Sequence, residues 1–265
     1  MLLYGGPKLG KTSLLLHLRW LLEQERASSG NAPAAQYLDL HEKNDCERFL
    51  AGEWGKSAVL LLDNCDFLLR SPLSQLPSQA TVWAGGRTWR DFVSGGGLHR
   101  ALLPVPLAIL LIGEARALIK PNLTPDQVAT VLSYGGTHPY VLKVLHARMI
   151  ADGPTGDPTQ TIQAVQARLA PFFLACFQEL RTPIERALLD YLIKQDKPIN
   201  PRDAAKALGY STIKAAADVL CYVGLISRWN LNEGAMLQAN CRLFNGWYLA
   251  YSECHNISTQ GEPHG

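Results

Sequence analysis

Apolar residues near the start of the chain form short unbroken runs, and later ones recur at helical spacing. Strands are predicted at 1–4, 36–40, 57–62, 81–84 and 107–112, and the apolar residues of 1–4, 58–62 and 107–112 follow one another without polar alternation. Such runs are typical of strands that are buried on both faces of a parallel sheet. Between the first two runs, leucines repeat at helical spacing over 14–22. The order of strand, helix and strand predicts an α/β layer with right-handed crossovers.

From Gly113 onward the strand patterns stop and helical patterns replace them. Helices are predicted at 114–120, 124–133, 138–150 and 159–179. Further along the chain, a helix from Thr182-Pro183, a short helix at 201–208, a turn and a helix at 211–222 precede two strands at 224–228 and 235–240. This order of helices and hairpin predicts a winged helix.

The glycine-rich segment between the first strand and the first helix matches G-x-x-x-x-G-K-[ST] at every position. Glycines let successive backbone N–H groups converge on phosphate oxygens, and the helix N-terminus adds partial positive charge. Lys11 is expected to neutralise the β- and γ-phosphates of ATP, and Thr12 to supply a hydroxyl to Mg²⁺. The predicted phosphate cradle is Gly5, Gly6, Pro7, Lys8, Leu9, Gly10, Lys11, Thr12 and Ser13.

A second anchor for Mg²⁺ is predicted at Asp63, which ends the aliphatic run Val59-Leu60-Leu61-Leu62. An aspartate at the end of a strand is ordinary by itself. With a phosphate-binding loop upstream, the run has the form of a Walker B strand, whose aspartate holds Mg²⁺ directly or through water. The predicted metal residues are therefore Thr12 and Asp63.

Hydrolysis also needs a group that orients or deprotonates water, and Asn64 follows Asp63. An amide can position water but cannot accept its proton, so slow or absent hydrolysis is one expectation. Asp66 is an alternative base, with helix capping as the rival interpretation. Arg87 follows the fourth strand and is a candidate γ-phosphate contact, although surface arginines are common. The predicted catalytic set is Lys11, Asp63, Asn64, Asp66 and Arg87, with Arg90 or Arg100 as candidate fingers toward a neighbouring subunit.

With these features the chain resembles the AAA+-related signal-transduction ATPases with numerous domains (STAND), especially their archaeal-type ATPase branch. A further point of resemblance is the segment Tyr134-Gly135-Gly136-Thr137-His138-Pro139-Tyr140. The segment is similar to the family's Gly-Gly-x-x-Pro lid motif. The resemblance implies that Pro139 and neighbouring His138 pack near the nucleotide. Spacing alone indicates only a helix boundary, with His138 as a cap or surface residue.

The resemblance and the patterns together predict a P-loop NTPase parallel sheet with helices on both faces, followed by a helical lid and a winged helix. The predicted domains are a nucleotide-binding core at 1–112, a lid at 113–181, a winged helix at 182–251 and a flexible tail at 252–265. The sequence departs from the family at two points. Asn64 stands where glutamate is usual, and no adenine-holding segment precedes the first strand, so a native start and a truncated start are both open.

Composition narrows the class of partner. The 265 residues carry 25 Lys and Arg against 23 Asp and Glu, so the whole-chain charge does not attract nucleic acid or an anionic membrane. The longest apolar stretch, 101–112, contains two prolines and is shorter than the roughly 20 residues of a membrane helix. No signal peptide is evident, and six scattered cysteines lack metal spacing. We expect a cytoplasmic protein with reduced thiols.

Three hypotheses about function remain open at this stage. The first is an ATP-hydrolysing switch that assembles with itself or binds a protein partner, and the second is a nucleotide-binding scaffold that no longer hydrolyses. The third is an ATPase that binds DNA through the winged helix. The predicted helix at 211–222 offers only Lys214 as a basic side chain, beside three alanines and Asp218, so a packing role is favoured over DNA binding. The expected ligands are ATP or ADP and Mg²⁺.

Overall fold

The structure is a computed structural model that describes residues 1–54, 58–66, 77, 79–85, 102–153, 156–231 and 234–255. The chain divides into two compact units, Met1–Leu107 and Ala108–Gly265. Within the described ranges, no helix combines the length and apolarity needed to cross a membrane. The finer division into a core, a lid, a winged helix and a tail stays a prediction.

A parallel sheet forms the centre of the first unit. Its elements are β1 (Leu2–Tyr4), α1 (Lys11–Ser29), β2 (Ala34–Asp39), α2 (Lys43–Leu50), β3 (Ala58–Asp63), β4 (Thr81–Gly85) and β5 (Pro104–Pro106). The strand order is β2-β3-β4-β1-β5, and every neighbouring pair is parallel. All five strands therefore end at the same edge of the sheet, which is where α/β proteins bind their ligands.

Helices cover both faces of this sheet. Leu15 of α1 is fully buried in a cluster with Leu3 and Ala84, and its burial stabilises the unit by about 2 kcal/mol. Phe49 of α2 packs edge-on against Trp83, with ring centroids 5.8 Å apart. Because Trp83 and Ala84 are adjacent in β4, their side chains point to opposite faces. The predicted α/β fold with helices on both faces is confirmed.

The fifth strand lies earlier in the chain than the run at 107–112 that predicts it. The carbonyl of Leu103 accepts a hydrogen bond from the N–H of Leu2 at 2.8 Å, and the N–H of Leu107 donates to the carbonyl of Tyr4 at 2.7 Å. These bonds flank β5, so its two prolines lack their N–H only on the side away from β1, where the structure describes no further strand. Edge strands tolerate proline for this reason.

The second unit contains helices and one antiparallel hairpin. Its elements are α3 (Ile112–Ile119), α4 (Pro125–Gly135), α5 (Pro139–Asp152), α6 (Pro158–Gln178), α7 (Pro183–Gln195), α8 (Pro201–Ala207), α9 (Lys214–Val223), β6 (Ile226–Leu231), β7 (Gly234–Ala239) and α10 (Arg242–Cys254). One hydrophobic core joins them, with side chains such as Leu145, Phe173, Leu188, Leu220 and Phe244 at most 1% exposed. Helix α10 runs past position 252, where the predicted tail starts.

Local capping sets where helices of the second unit begin. The Thr124 hydroxyl accepts from the N–H of Gln127 at 3.3 Å, while the Gln127 side chain accepts from the N–H of Thr124 at 3.0 Å. Thr182 and Glu185 form the same reciprocal pair at the start of α7. Each pair satisfies two backbone donors that the first turn of a helix leaves unpaired. The Thr-Pro signals in the sequence therefore mark real helix starts.

Candidate functional site

The glycine loop joins the buried strand β1 to α1. A Cβ on Gly5 would lie 2.6 Å from the carbonyl oxygen of Leu107, so only glycine fits this close backbone approach. Lys8 has φ of 57°, in the left-handed region, which costs a residue with a Cβ on the order of 1–2 kcal/mol. Leu9 is buried and anchors the loop, whereas Thr12 is exposed in the first turn of α1. Strain of this kind is concentrated at ligand sites.

Lys11 holds its ammonium group inside the loop. Its Nζ donates to the carbonyl oxygens of Gly5 at 2.8 Å and of Gly6 at 2.7 Å. The first turn of α1 has no acidic residue, so the positive end of the helix dipole is not neutralised there. A phosphate is a stronger acceptor for an ammonium group than a neutral carbonyl is. The loop therefore fits an anionic phosphate, with the hydroxyls of Thr12 and Ser13 exposed in the same turn.

Asp63 ends β3 at the same edge of the sheet and is only 1% exposed. The hydroxyl of Tyr37 donates to its Oδ2 at 2.9 Å, and the backbone N–H of Asn64 donates to its Oδ1 at 2.9 Å. These donors offset the cost of burying a carboxylate. Because β4 separates β3 from β1, the ends of those strands lie about 10 Å apart.

The donor set at this edge suits Mg²⁺, which prefers carboxylate and hydroxyl oxygens. Asp63 and Thr12 provide one of each. Among the residues that the structure describes, Asp, Glu, His and Cys form no group of three or more that could hold a metal ion unaided. A Mg²⁺ ion here would therefore take its remaining ligands from nucleotide and water.

Tyr37 is a site residue that the sequence patterns missed. Its pKa is raised above the ordinary value, first by burial and then by the hydrogen bond to Asp63 and by the negative charges of Asp63, Asp39 and Asp45. The phenol therefore keeps its proton at neutral pH and remains a donor. Nothing in the sequence indicates this role, because Tyr37 lies inside β2 and reaches Asp63 through the pairing of β2 with β3.

Asn64 turns its side chain toward the edge strand β2. Its φ of 53° lies in the left-handed region, and its Nδ2 donates to Oδ1 of Asp39 at 2.8 Å. Since β2 and β1 lie on opposite sides of β3, this bond directs the amide away from the glycine loop. Its role in positioning water stays a prediction.

Cys65 and Asp66 follow Asn64 in the described part of the chain. Asp66 is half-buried in a short 3₁₀ turn. The thiol of Cys65 donates to the carbonyl of Ala84 at 3.0 Å, and burial, together with the nearby charge of Asp66, raises the pKa of this thiol. The protonated thiol thus ties the end of β3 to β4. The candidate arginines, Arg87, Arg90 and Arg100, lie outside the described residues.

The Gly-Gly-x-x-Pro motif is the turn between α4 and α5 in the second unit, and Pro139 is the first residue of α5. Gly136 has φ of 62°, and a Cβ there would overlap the backbone oxygen of Asn240. Thr137 donates to Oδ1 of Asn240 from its N–H at 3.2 Å and from its hydroxyl at 2.9 Å. Asn240 in turn donates to the carbonyl of Gly224 at 3.3 Å. We call these contacts the turn–hairpin joint, because Asn240 directly follows β7.

His138 belongs to the same joint. It occupies the N-cap position of α5 without a side-chain cap hydrogen bond, and it is 3% exposed. Its ring packs edge-on against Phe172, with centroids 5.2 Å apart, and a Cβ on Gly224 would lie 2.8 Å from it. The interpretation of His138 as a surface residue is therefore wrong, because its ring fills the space between the turn and the C-terminus of α9. Packing of Pro139 and His138 near a nucleotide stays a prediction.

Comparison with solved structures identifies the fold. The Walker-type ATPase PABY2304 of Pyrococcus abyssi is similar to this chain with a TM-score of 0.56 at 13% identity, over 93% of this chain and 90% of that one. The RuvB Holliday junction branch migration motor of Thermotoga maritima is 15% identical, with coverage of 96% and 86% and a TM-score of 0.43. The Orc1 protein of Aeropyrum pernix in complex with DNA is 13% identical, with coverage of 95% and 86% and a TM-score of 0.42.

No protein-family model and no curated protein matches the sequence. The five-stranded parallel sheet with helices on both faces and the likeness to the Pyrococcus abyssi structure indicate the same fold. The chain has the fold of the P-loop nucleoside triphosphatases.

Proposed function

We propose that this chain binds ATP or ADP with Mg²⁺ in the cytoplasm and hydrolyses ATP, as an AAA+-related switch of the STAND type. Its nucleotide state would control its domain arrangement, its assembly or its binding of a partner. The observation that carries the proposal is the ammonium group of Lys11 inside the glycine loop, held by the carbonyls of Gly5 and Gly6. The buried carboxylate of Asp63 at the same edge of the sheet supports it.

The residues of the loop have distinct roles in this proposal. Backbone N–H groups from Gly5 to Thr12 and the N-terminus of α1 would hold the phosphates. Lys11 would exchange its carbonyl partners for β- and γ-phosphate oxygens, and Thr12 and Asp63 would hold Mg²⁺. Bound Mg²⁺ would neutralise charge on the phosphates.

Hydrolysis depends on the loop after β3. Asn64 has its amide engaged by Asp39, and an amide accepts no proton in any case. Asp66 is the nearest following carboxylate and would have to act as the base, with Arg87 as a contact to the γ-phosphate. We therefore expect slow turnover. The alternative that this observation favours is a nucleotide-binding scaffold that does not hydrolyse.

Within the second unit, the turn–hairpin joint offers a route by which a displacement would spread. Gly136 and Thr137 are fixed to Asn240, so a displacement of the turn would carry the hairpin with it.

We propose that α7, α8, α9 and the hairpin form a winged helix. Support comes from their order and from the backbone bridge between Ile199 and Leu237, which adds a short strand segment beside β7.

The DNA-binding alternative receives little support from α9. Only Lys214 has an exposed side chain on this helix, whereas reading base edges needs several polar side chains on an accessible helix face. Arg228 of the hairpin is already paired with Asp218 at 2.8 Å.

Phosphate release tests the proposal. Wild-type protein should release phosphate from ATP in Mg²⁺ faster than Lys11→Ala and Asp63→Asn variants do. If the wild-type protein binds ATP but releases phosphate no faster than Lys11→Ala, the hydrolysing switch is excluded and the scaffold remains.

A further inference from the structure

A cavity of about 300 Å³ opens between α8, the start of α9 and the hairpin. Mostly carbon atoms line it, with Ala205, Ile213, Ala217 and Ala235 among the contributing residues. Its volume is at the lower end of the range for ligand pockets. A large aliphatic or aromatic side chain would therefore fit, whereas a polar group would find few hydrogen-bond partners in this mostly apolar lining.

Basic side chains also line this cavity: Arg202 of α8, Lys214 of α9 and Arg228 of β6. Arg228 is neutralised by Asp218. Arg202 and Lys214 are exposed and make no ion pair with any residue in the described part of the chain. The first turn of α9 carries no acidic residue that would compensate Lys214. The cavity is thus apolar inside and positively charged at two points of its lining.

We propose that this cavity is the docking site for an acidic segment of a partner protein. A large apolar side chain of that segment would enter the cavity, and flanking carboxylates would pair with Arg202 and Lys214. The inference rests on the proposed function in one respect, since this partner is the one whose binding the nucleotide would control. Duplex DNA matches the charge but offers a poor apolar anchor for the cavity, and α9 exposes only Lys214 toward base edges.

Fluorescence anisotropy of the full chain tests the docking site. The probe is a short dye-labelled peptide in which glutamates surround a single leucine. Two control peptides replace every glutamate by glutamine or the leucine by alanine, and a dye-labelled DNA duplex is the fourth probe. The glutamate–leucine peptide should bind, and each control peptide should bind at least about tenfold more weakly.

Variants locate the binding. Arg202→Ala and Lys214→Ala should each lower the affinity for the peptide by about fivefold to tenfold. Ala235→Leu should also lower this affinity, because the larger side chain fills the cavity. Lys206→Ala is the matched control, because Lys206 is an exposed cation of α8 that does not line the cavity, and it should change affinity less than about twofold.

Two results would overturn the docking site. One is no peptide binding by the apo, ADP-bound and ATP-analogue-bound protein, and the other is DNA binding that displaces the peptide and depends on Lys214. A peptide affinity that is equal in all three nucleotide states would instead contradict the switch while leaving the docking site in place. Nucleotide binding is measured separately in the same samples, which keeps the two failures distinct.

Discussion

The side-chain amide of Asn64 donates a hydrogen bond of 2.8 Å to the carboxylate of Asp39 and so joins the carboxyl ends of β3 and β2. The acceptor is itself fixed, because Asp39 also accepts from the N–H of His41 at 3.0 Å and donates its own N–H to Asp45 at 3.0 Å. β2 is an edge strand on the side of β3 away from the glycine loop. In this conformation the residue after Asp63 therefore stabilises the edge of the sheet.

Exchange of the two groups tests this pair. In Asn64→Glu a carboxylate faces Asp39, and we expect the free energy of unfolding to fall by about 1–2 kcal/mol because a donor is lost and like charges meet. Adding Asp39→Asn restores a donor opposite the new carboxylate, so the double variant should recover most of that loss. Urea unfolding at neutral pH measures both variants and the single Asp39→Asn variant.

If the double variant loses as much free energy of unfolding as the two single variants together, Asn64 and Asp39 are not coupled and this account of the loop is wrong. The double variant also carries a carboxylate after Asp63. An increase in its turnover over the wild type would support the absence of a base as the cause of slow hydrolysis.

Tyr37→Phe removes the phenolic donor to Asp63 and should lower the free energy of unfolding by about 1 kcal/mol at neutral pH. The pKa of Tyr37 is raised above the ordinary tyrosine value of about 10. Its stabilising contribution should therefore be complete below a pH of about 10 and be lost as pH rises through the folded-state pKa. The difference in free energy of unfolding between wild type and variant should therefore shrink as the pH rises above about 10.

Urea unfolding across alkaline pH measures this effect, with Tyr210→Phe as the control. Tyr210 is 40% exposed, and its substitution controls for the loss of a phenolic hydroxyl as such. A wild type and a Tyr37→Phe variant that lose stability in parallel would show that the hydrogen bond to Asp63 does not hold the phenolic proton.

Gly136→Ala tests the turn–hairpin joint. The new methyl group would overlap the backbone oxygen of Asn240, and we expect a loss of more than about 3 kcal/mol in the free energy of unfolding. Gly153→Ala is the matched control, because Gly153 has a similar φ of 72° but open space around its Cβ position. Because the φ of 72° and ψ of −175° at Gly153 strain a residue with a Cβ, this variant should cost about 1–3 kcal/mol. Equal losses in the two variants would mean that the joint is looser than described.

Local sequence signals predict the parts of the site that are contiguous in the chain. The glycine loop needs only residues 5–12, and an aliphatic run that ends in Asp63 indicates a strand reaching the sheet edge. Tyr37 could not be predicted, because its contact with Asp63 depends on the register between β2 and β3. Thr137 and Asn240 are 103 positions apart, and no local pattern links them.

Two elements differ from the prediction: β5 lies earlier in the chain than expected, and α10 was not predicted. Apolar content favours 107–112 as the last strand, but hydrogen bonding to β1 selects β5, whose prolines lack their N–H only on the side away from β1. Helix α10 was missed although Phe244, Trp247, Tyr248 and Tyr251 recur at helical spacing. Their rings pack against one another and against α6, for example Phe173 to Phe244 at 5.5 Å, so the spacing marks the buried face of this helix.

The central claim, that the loop around Lys11 binds the phosphates of ATP, is tested most directly by calorimetric titration of ATP in Mg²⁺ into wild type, Lys11→Ala and Lys43→Ala. Lys43 is an exposed lysine of α2 that pairs with Glu47 at 3.7 Å and serves as the matched control. We predict that the wild type and Lys43→Ala bind ATP with equal affinity, and that Lys11→Ala binds at least about thirtyfold more weakly, since a charge-assisted hydrogen bond is worth about 2–3 kcal/mol. Absence of ATP binding by the wild type, or equal affinities of all three proteins, would contradict the account.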